Sequence, residues 1–319
     1  MKKVLFISGQ GQIVTDIFTG LAPEGFTVAC KPDTASDAEK LEWLRDVEYL
    51  VLHPATLSGT LLREAKNLKL VQLLTAGYDK VDIHAAAACG IPVATNGGAN
   101  AWAVAEHAIA LLLALCKRLV ECDASVRAGT WRKPVNGFNT FELAGKTVGV
   151  IGAGNIGRKV AARLKAFETD ILYYDQVSVP EIETGLGAKK ASLEEIAATS
   201  DVITLHAPLL ESTRGLLGAK EFALMQPGAV LINTSRAELV DTAALCDALA
   251  TGKIAGAGLD VFDTEPVPAD SPLLSLANVI LTPHTAGHSY EGWARRSRNA
   301  WGNIVRTANG EKAEFTVRV

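Results

Sequence analysis

Short apolar runs alternate with amphipathic stretches along almost the whole chain. In the first hundred residues the runs are Val4–Ile7, Thr27–Ala29, Tyr49–Leu52, Leu70–Leu73 and Val93–Ala94. Between them Asp37–Arg45, Leu61–Ala65 and Ile83–Cys89 carry helical patterns. Unbroken apolar runs of this length read as strands covered on both faces, and the alternation predicts a parallel sheet with helices on either side. A second series starts at Lys146, with strands expected at Thr147–Ile151, Asp170–Tyr174, Val202–Leu205, Ala229–Asn233, Gly256–Leu259 and Val279–Leu281. Helices are expected between them, for example at Ile156–Ala166, Leu193–Ala198 and Thr242–Ala250. Six strands in this order suit a complete dinucleotide-binding domain.

Two helices frame the second series. Ala101–Cys116 is apolar except for Glu106 and His107, and Lys117-Arg118 follow it. It is shorter than the roughly 20 residues of a spanning helix, and two ionisable groups would be costly in lipid. A helix apolar on nearly every face must be buried, so it is expected between domains or against a second subunit. A loop holding Trp131, Pro134 and Gly137 comes next. The last helix is expected from about His288 to Ala308, with a tail too short for a further domain. Folded back onto the first series, it would complete a discontinuous domain. The expected fold class is therefore α/β, with two doubly wound parallel-sheet domains: residues 1–100 with 287–319, and residues 101–286 inserted between them.

Composition narrows the class. The 319 residues are 48% hydrophobic and 21% charged, and the net charge is −4, which suits a globular chain and gives no nucleic-acid surface. Arg295, Arg296 and Arg298 are expected on a solvated helix face. The five cysteines form no Cys-x-x-Cys pair, so neither a disulfide framework nor a metal site is expected. Cys30, Cys89 and Cys116 adjoin apolar runs and are expected to be buried. The opening run is too short for a signal peptide, and a cytoplasmic protein is expected.

One turn carries a specific chemistry. The strand Thr147–Ile151 runs into Gly152-Ala153-Gly154-Asn155-Ile156-Gly157, and a helical pattern follows with Val160, Leu164 and Phe167 on one side. Gly152 permits the turn, Gly154 lets backbone approach a pyrophosphate, and Gly157 allows close helix–strand packing. The helix start offers free N–H groups and a positive dipole end. Asp175, about 20 residues on and at the end of the next strand, can accept hydrogen bonds from ribose hydroxyls. It would repel a 2′-phosphate, and no Lys or Arg follows before Lys189, so NAD is expected over NADP.

Three further strand ends carry polar residues, where doubly wound sheets place their ligands. Arg236 closes Asn233-Thr234-Ser235-Arg236, Glu265 lies in Asp260-Val261-Phe262-Asp263-Thr264-Glu265-Pro266, and His284 follows Thr282-Pro283. Reduction of a 2-keto acid needs a cation for the carboxylate, a proton donor at the carbonyl oxygen, and a hydride. Arginine offers a planar fork for a carboxylate, and histidine is the usual proton donor near neutral pH. A glutamate beside the ring would orient it and favour its charged form.

With these motifs in order, together with Thr75-Ala76-Gly77-Tyr78-Asp79 and Ala103-Val104-Ala105-Glu106-His107, the chain resembles the D-isomer-specific 2-hydroxyacid dehydrogenases over its full length. The resemblance implies a Rossmann nucleotide domain inserted in a flavodoxin-like substrate domain. It implies that Arg236 binds the substrate carboxylate, that His284 is the acid/base and that Glu265 supports it. Substrate contacts are implied at the backbone of Ala76 and Gly77. Cofactor contacts are implied at Val104, His206, Pro208, Thr213, Thr234, Asp260 and Gly287, beside the turn residues and Asp175. A homodimer is implied, its interface absorbing the apolar helix 101–118. One departure is visible: Ala237 follows Arg236 where the family usually has glycine, which is tolerable at negative φ.

Among the other histidines, His53 ends a strand and could serve as a second basic group, or simply be a loop residue before Pro54. His107 is expected to be a buried, hydrogen-bonded structural residue. His84 and His288 have no evident catalytic partner, and Trp131 either lines a pocket or packs a domain junction. The rival class is a non-catalytic NAD(H)-sensing protein of the corepressor kind.

Overall fold

The computed structural model describes residues 1–54, 56–131 and 139–318, so Pro134 and Gly137 of the expected loop lie outside the described residues. The chain forms two compact units, Met1–Asn100 with His288–Val319, and Ala101–Gly287. Chain order in the first is β1 (Lys2–Ser8), α1 (Gln12–Gly20), β2 (Phe26–Pro32), α2 (Asp37–Leu44), β3 (Tyr49–His53), α3 (Gly59–Glu64), β4 (Leu70–Leu73), α4 (Ile83–Ala88) and β5 (Val93–Ala94). The second opens with α5 (Ala101–Cys116) and α6 (Leu119–Arg127). It continues through β6 (Thr147–Ile151), α7 (Asn155–Lys165), β7 (Asp170–Tyr174), α8 (Pro180–Leu186), β8 (Lys189–Lys190) and α9 (Leu193–Thr199). Then come β9 (Val202–Leu205), α10 (Ala219–Leu224), β10 (Val230–Asn233), α11 (Thr242–Ala250), β11 (Gly256–Leu259) and β12 (Val279–Leu281). The last helix, α12 (Tyr290–Ala308), returns to the first unit.

The first sheet is parallel with order β2-β1-β3-β4-β5, the flavodoxin-like order. Alternation along its strands sends Leu5, Ile7, Leu50, Leu52 and Val71 to one face, under Leu44, Leu61 and Leu62 of the helices that cover it. Val4, Phe6, Tyr49, Val51 and Leu70 face the other way, against Phe18 of α1 and Trp293, Trp301 and Ile304 of α12. Both faces are covered, which is why these strands read as unbroken apolar runs. Trp301 stacks on Phe18 at 4.9 Å and donates its indole N–H to the Phe18 carbonyl at 2.8 Å. Buried Asn303 donates to Gln72 Oε1 at 2.8 Å, so the polar pair between α12 and β4 is satisfied. Ser289 caps α12, accepting from the Gly292 N–H at 3.0 Å, and His288 lies before the helix.

The second sheet is parallel with order β12-β11-β10-β9-β6-β7-β8, and chain direction switches between β6 and β9. This is the Rossmann arrangement with an added outer strand, and the expected fold class of two doubly wound parallel sheets holds. The short strand β8 is absent from the sequence-based expectation of six strands. Its residues are two exposed lysines at a sheet edge, where no apolar pattern forms.

The apolar helix α5 finds its burial within its own unit. Ala105, Ala108, Ile109, Leu111, Leu112 and Cys116 pack with Val148, Val150, Val230 and Ile232 in one core. The sheet makes room for it with glycine: a Cβ on Gly258 would stand 3.0 Å from Leu111 Cβ, and one on Gly256 3.3 Å from Leu115 Cδ2. The burial expected of this helix is thus met in large part by its own sheet. No helix among the described residues is long and apolar enough to cross a membrane.

Two further expectations change. Arg296 is buried, only 3% exposed, with its guanidinium 4.3 Å from the Trp293 ring centre. Three arginines within four residues spread around a helix at about 100° per residue and cannot share one solvated face. Cys30 and Cys89 are exposed and Cys116 is buried. Cys30 lies on the edge strand β2 and Cys89 just past α4, so adjacency to apolar runs did not bring burial.

Replacing Gly258 by valine is expected to destabilise the protein by about 1–3 kcal/mol through overpacking between α5 and β11. The urea midpoint reads this directly, and an unchanged midpoint would show that α5 does not need the glycine groove.

Candidate active site and nucleotide turn

β6 ends at Ile151, and the chain turns at Gly152 with φ of 90°. A Cβ there would stand 2.5 Å from Ala207 N, and a Cβ on Gly157 would stand 1.9 Å from Gly152 O. Both glycines are demanded by the protein's own packing. Gly154 is different: it is exposed, and no atom lies within 4 Å of a Cβ built on it. It is also the N-cap of α7 and supplies no side-chain cap, so the N–H groups of Asn155, Ile156 and Gly157 open the helix without one. Open space over a glycine at an uncapped positive helix end fits a pyrophosphate. Asp175 follows β7 directly, and its carboxylate accepts from Ala153 N–H at 2.8 Å and Val177 N–H at 3.3 Å, bracing the turn from the side. Arg158, which the sequence reading passed over, adds a cation on the first turn of α7 and pairs with Glu181. Its position one residue after the last glycine was the available signal.

The next strand end supplies His206, whose N–H donates to the Ile151 carbonyl at 2.7 Å. Its ring is buried, with Nε2 2.8 Å from the Thr204 hydroxyl and Nδ1 without a partner. Burial pushes its pKa down to about 3. Thr213 closes the following loop, donating to the Pro208 carbonyl at 2.7 Å and accepting from Leu210 N–H at 2.8 Å. Beyond β10 the Thr234 hydroxyl is likewise buried without a partner. Orphaned buried polar atoms are costly, and these two, just past the neighbouring strands β9 and β10, fit a ligand that would satisfy them. Val104 is buried on α5, and Gly287 closes the second unit.

The register of the last three strands aligns Asn233 with Leu259 and Leu259 with Leu281, so the residues that follow each emerge side by side. Asn233 clasps its own turn, accepting from Ser235 N–H at 3.0 Å and donating to the Arg236 carbonyl at 2.9 Å. Ser235 ties this turn to the neighbouring one by donating to the Ala207 carbonyl at 2.5 Å. Arg236 is half-buried. Ala237 is outside the left-handed region, so its methyl meets the condition set by the missing glycine. Glu265 accepts from Phe262 N–H at 3.1 Å, and its oxygens lie 3.0 and 2.9 Å from His284 Nδ1. The fold thus brings Glu265 and His284 into contact from two separate loops. With Nδ1 given to the carboxylate, Nε2 is the nitrogen left to exchange a proton, on a side chain 48% exposed.

In the first unit, the Thr75 hydroxyl donates to the Gly77 carbonyl at 2.7 Å and shapes the turn through Ala76. His53 is buried at the end of β3, edge-on to Trp293 at 4.7 Å and 6.2 Å from His288. Trp131 is 67% exposed. His107 is half-buried, and its Nε2 lies 2.9 Å from the Thr282 hydroxyl.

Residues 109–286 match the family model of the D-isomer specific 2-hydroxyacid dehydrogenase NAD binding domain. The chain belongs to the D-isomer-specific 2-hydroxyacid dehydrogenase family. The chain is similar to a glyoxylate reductase of Thermococcus litoralis, 42% identical over 85% of this chain and 83% of that one. A D-3-phosphoglycerate dehydrogenase of Archaeoglobus fulgidus is 40% identical over 84% of this chain, which spans 51% of that longer protein. The apo structure of D-lactate dehydrogenase from Escherichia coli superposes with a TM-score of 0.86 at 28% identity, covering 99% of this chain and 100% of that one. This family member is an NAD-dependent oxidoreductase of the 2-hydroxyacid dehydrogenase class.

Two outcomes are expected from this geometry. Gly154→Ala should leave the thermal midpoint without cofactor unchanged yet weaken NADH binding; equal affinity would remove the phosphate from this turn. His206 stays neutral in the folded protein down to about pH 3 but protonates near its ordinary 6.5 when unfolded. Its contribution to stability is therefore complete above about 6.5 and lost progressively as pH falls toward 3. His206→Gln should flatten the fall of thermal midpoint over that window, and an unaltered slope would contradict a buried neutral ring.

Proposed function

We propose that the protein interconverts a small 2-keto acid and its 2-hydroxy acid, with His284 as acid/base, Glu265 orienting it and Arg236 binding the substrate carboxylate. The observation that carries this is the contact of His284 Nδ1 with both Glu265 oxygens. With Nδ1 on the carboxylate, the contact supports Nε2 as the nitrogen that would meet the substrate. In reduction, His284 Nε2–H gives its proton to the carbonyl oxygen as the C=O bond becomes C–OH, and in oxidation the neutral nitrogen takes it back. Bound NAD(H) supplies or accepts the hydride at the carbonyl carbon. Gly152, Gly154, Asn155, Ile156 and Gly157 would hold its phosphates and Asp175 its adenosine ribose. Val104, His206, Pro208, Thr213, Thr234, Asp260 and Gly287 would line the rest. Arg236 would grip the substrate carboxylate as a planar fork.

The glyoxylate reductases among the relatives make glyoxylate the first keto acid to assay. A homodimer is part of the same reading. It is supported by α6, where Leu119, Val120 and Val126 stand 56–59% exposed, an apolar row that a second copy would cover.

His284→Ala should lower kcat about 10²–10⁴-fold while NADH affinity stays near that of the parent protein. Retained turnover would remove His284 from the acid role. Arg236→Ala should chiefly raise KM for the keto acid, and an unchanged KM with intact kcat would place the carboxylate elsewhere. NADH binding without turnover on any of a panel of 2-keto acids would favour a sensing protein instead.

A further inference from the structure

Asp260, the residue after β11, is fully buried, and its carboxylate is hydrogen-bonded to the loop that carries His284. Oδ1 accepts from the Thr282 hydroxyl at 2.6 Å and from Thr285 N–H at 3.0 Å, and Oδ2 accepts from Ala286 N–H at 2.8 Å. These three bonds straddle His284. They hold it at a φ of 53°, a left-handed conformation that a residue with a Cβ keeps only when its surroundings impose it.

The clamp has one more member. A threonine hydroxyl owns a single hydrogen, and that of Thr282 is given to Asp260. Toward His107 Nε2, 2.9 Å away, the hydroxyl must therefore accept. His107 Nε2–H donates to Thr282, Thr282 to Asp260, and the Asp260 carboxylate receives the far side of the loop. His107 stands on α5, which is locked against the glycines of β11 by Leu111 and Leu115. A rigid helix thus supplies the fixed end of the chain of hydrogen bonds.

We propose that His107 is a positioning residue for His284, acting through Thr282 and Asp260 to hold the ring on Glu265. This rests on the acid/base reading of His284. His107 itself touches neither His284 nor Glu265 in the hydrogen-bond pattern, so its effect would be felt only through the clamp. A residue that merely packs α5 would change stability alone. One that positions His284 changes the proton transfer.

The test compares His107→Leu, His107→Gln, Thr282→Val and the Leu/Val double variant in the full-length protein, with His284→Gln as control. Turnover of glyoxylate with NADH, the pH profile of kcat and the thermal midpoint are measured on each, and the ¹H–¹⁵N ring signals of His284 on every variant that keeps it. His107→Leu and Thr282→Val are each expected to lower kcat about tenfold to a hundredfold, with the pH profile and the His284 ring signals displaced. The double variant should lose less than the product of the two single losses, because both side chains act on Asp260, which His107 Nε2 also approaches directly at 3.6 Å. His107→Gln, which keeps an N–H donor, should recover kcat to within about threefold of the parent. If His107→Leu does not fold, the near-isosteric Thr282→Val and His107→Gln give the same comparison. Unmoved ring signals and pH profile in Thr282→Val and His107→Leu, or strictly additive losses, would overturn the proposal. Turnover retained by His284→Gln would instead sink the acid/base reading, and the ring signals would still decide whether His107 and Thr282 hold His284 in place.

Discussion

Parallel strands that end in register govern everything at the working edge of the second unit. Six adjacent strands of its sheet stop at one level, and the next residues in the chain are Asp175, Gly152, His206, Thr234, Asp260 and Thr282. Every one of them is a polar residue or a turn glycine. A parallel sheet leaves no hairpin there, so each strand must hand its chain to a loop at the same edge. The loops then brace one another: Asp175 on Ala153, Ser235 on Ala207, and Asp260 on Thr282, Thr285 and Ala286. The edge is a row of braced polar loops above an apolar core.

That core depends in turn on the closeness of α5 to β11. Gly256 and Gly258 lack the side chains that would hold the helix away, and Leu111 and Leu115 of the helix pack over them. The same approach brings His107 within reach of Thr282. Packing in the interior and geometry at the edge are linked through one helix, which joins the stability of the sheet to the placement of the His284 loop.

The alternating apolar runs announced two parallel sheets because strands covered on both faces have no polar side to show. The turn Gly152–Gly157 was legible because strand, glycines and helix follow without interruption. Strand β8 escaped because two exposed lysines carry no pattern, and Arg296 was misjudged because three nearby arginines in the sequence do not share one helix face. Cys30 and Cys89 show the same limit, since an apolar neighbour in the chain does not say which way a side chain points. Gly154 and Gly157 look alike in the motif, yet only Gly157 is required by the protein's own atoms.

By itself the sequence determined the class of fold, the glycine turn and the residue types able to bind a carboxylate and pass a proton. Those follow from local periodicity and from the chemistry of single side chains, which the chain carries wherever it folds. Tertiary structure alone decided that Glu265 faces His284 Nδ1, that α5 is absorbed by its own sheet, and that Asp260 holds the loop on both sides of His284. These are contacts between segments far apart in the chain. Their distances are set by strand register and helix packing, and no local pattern records them.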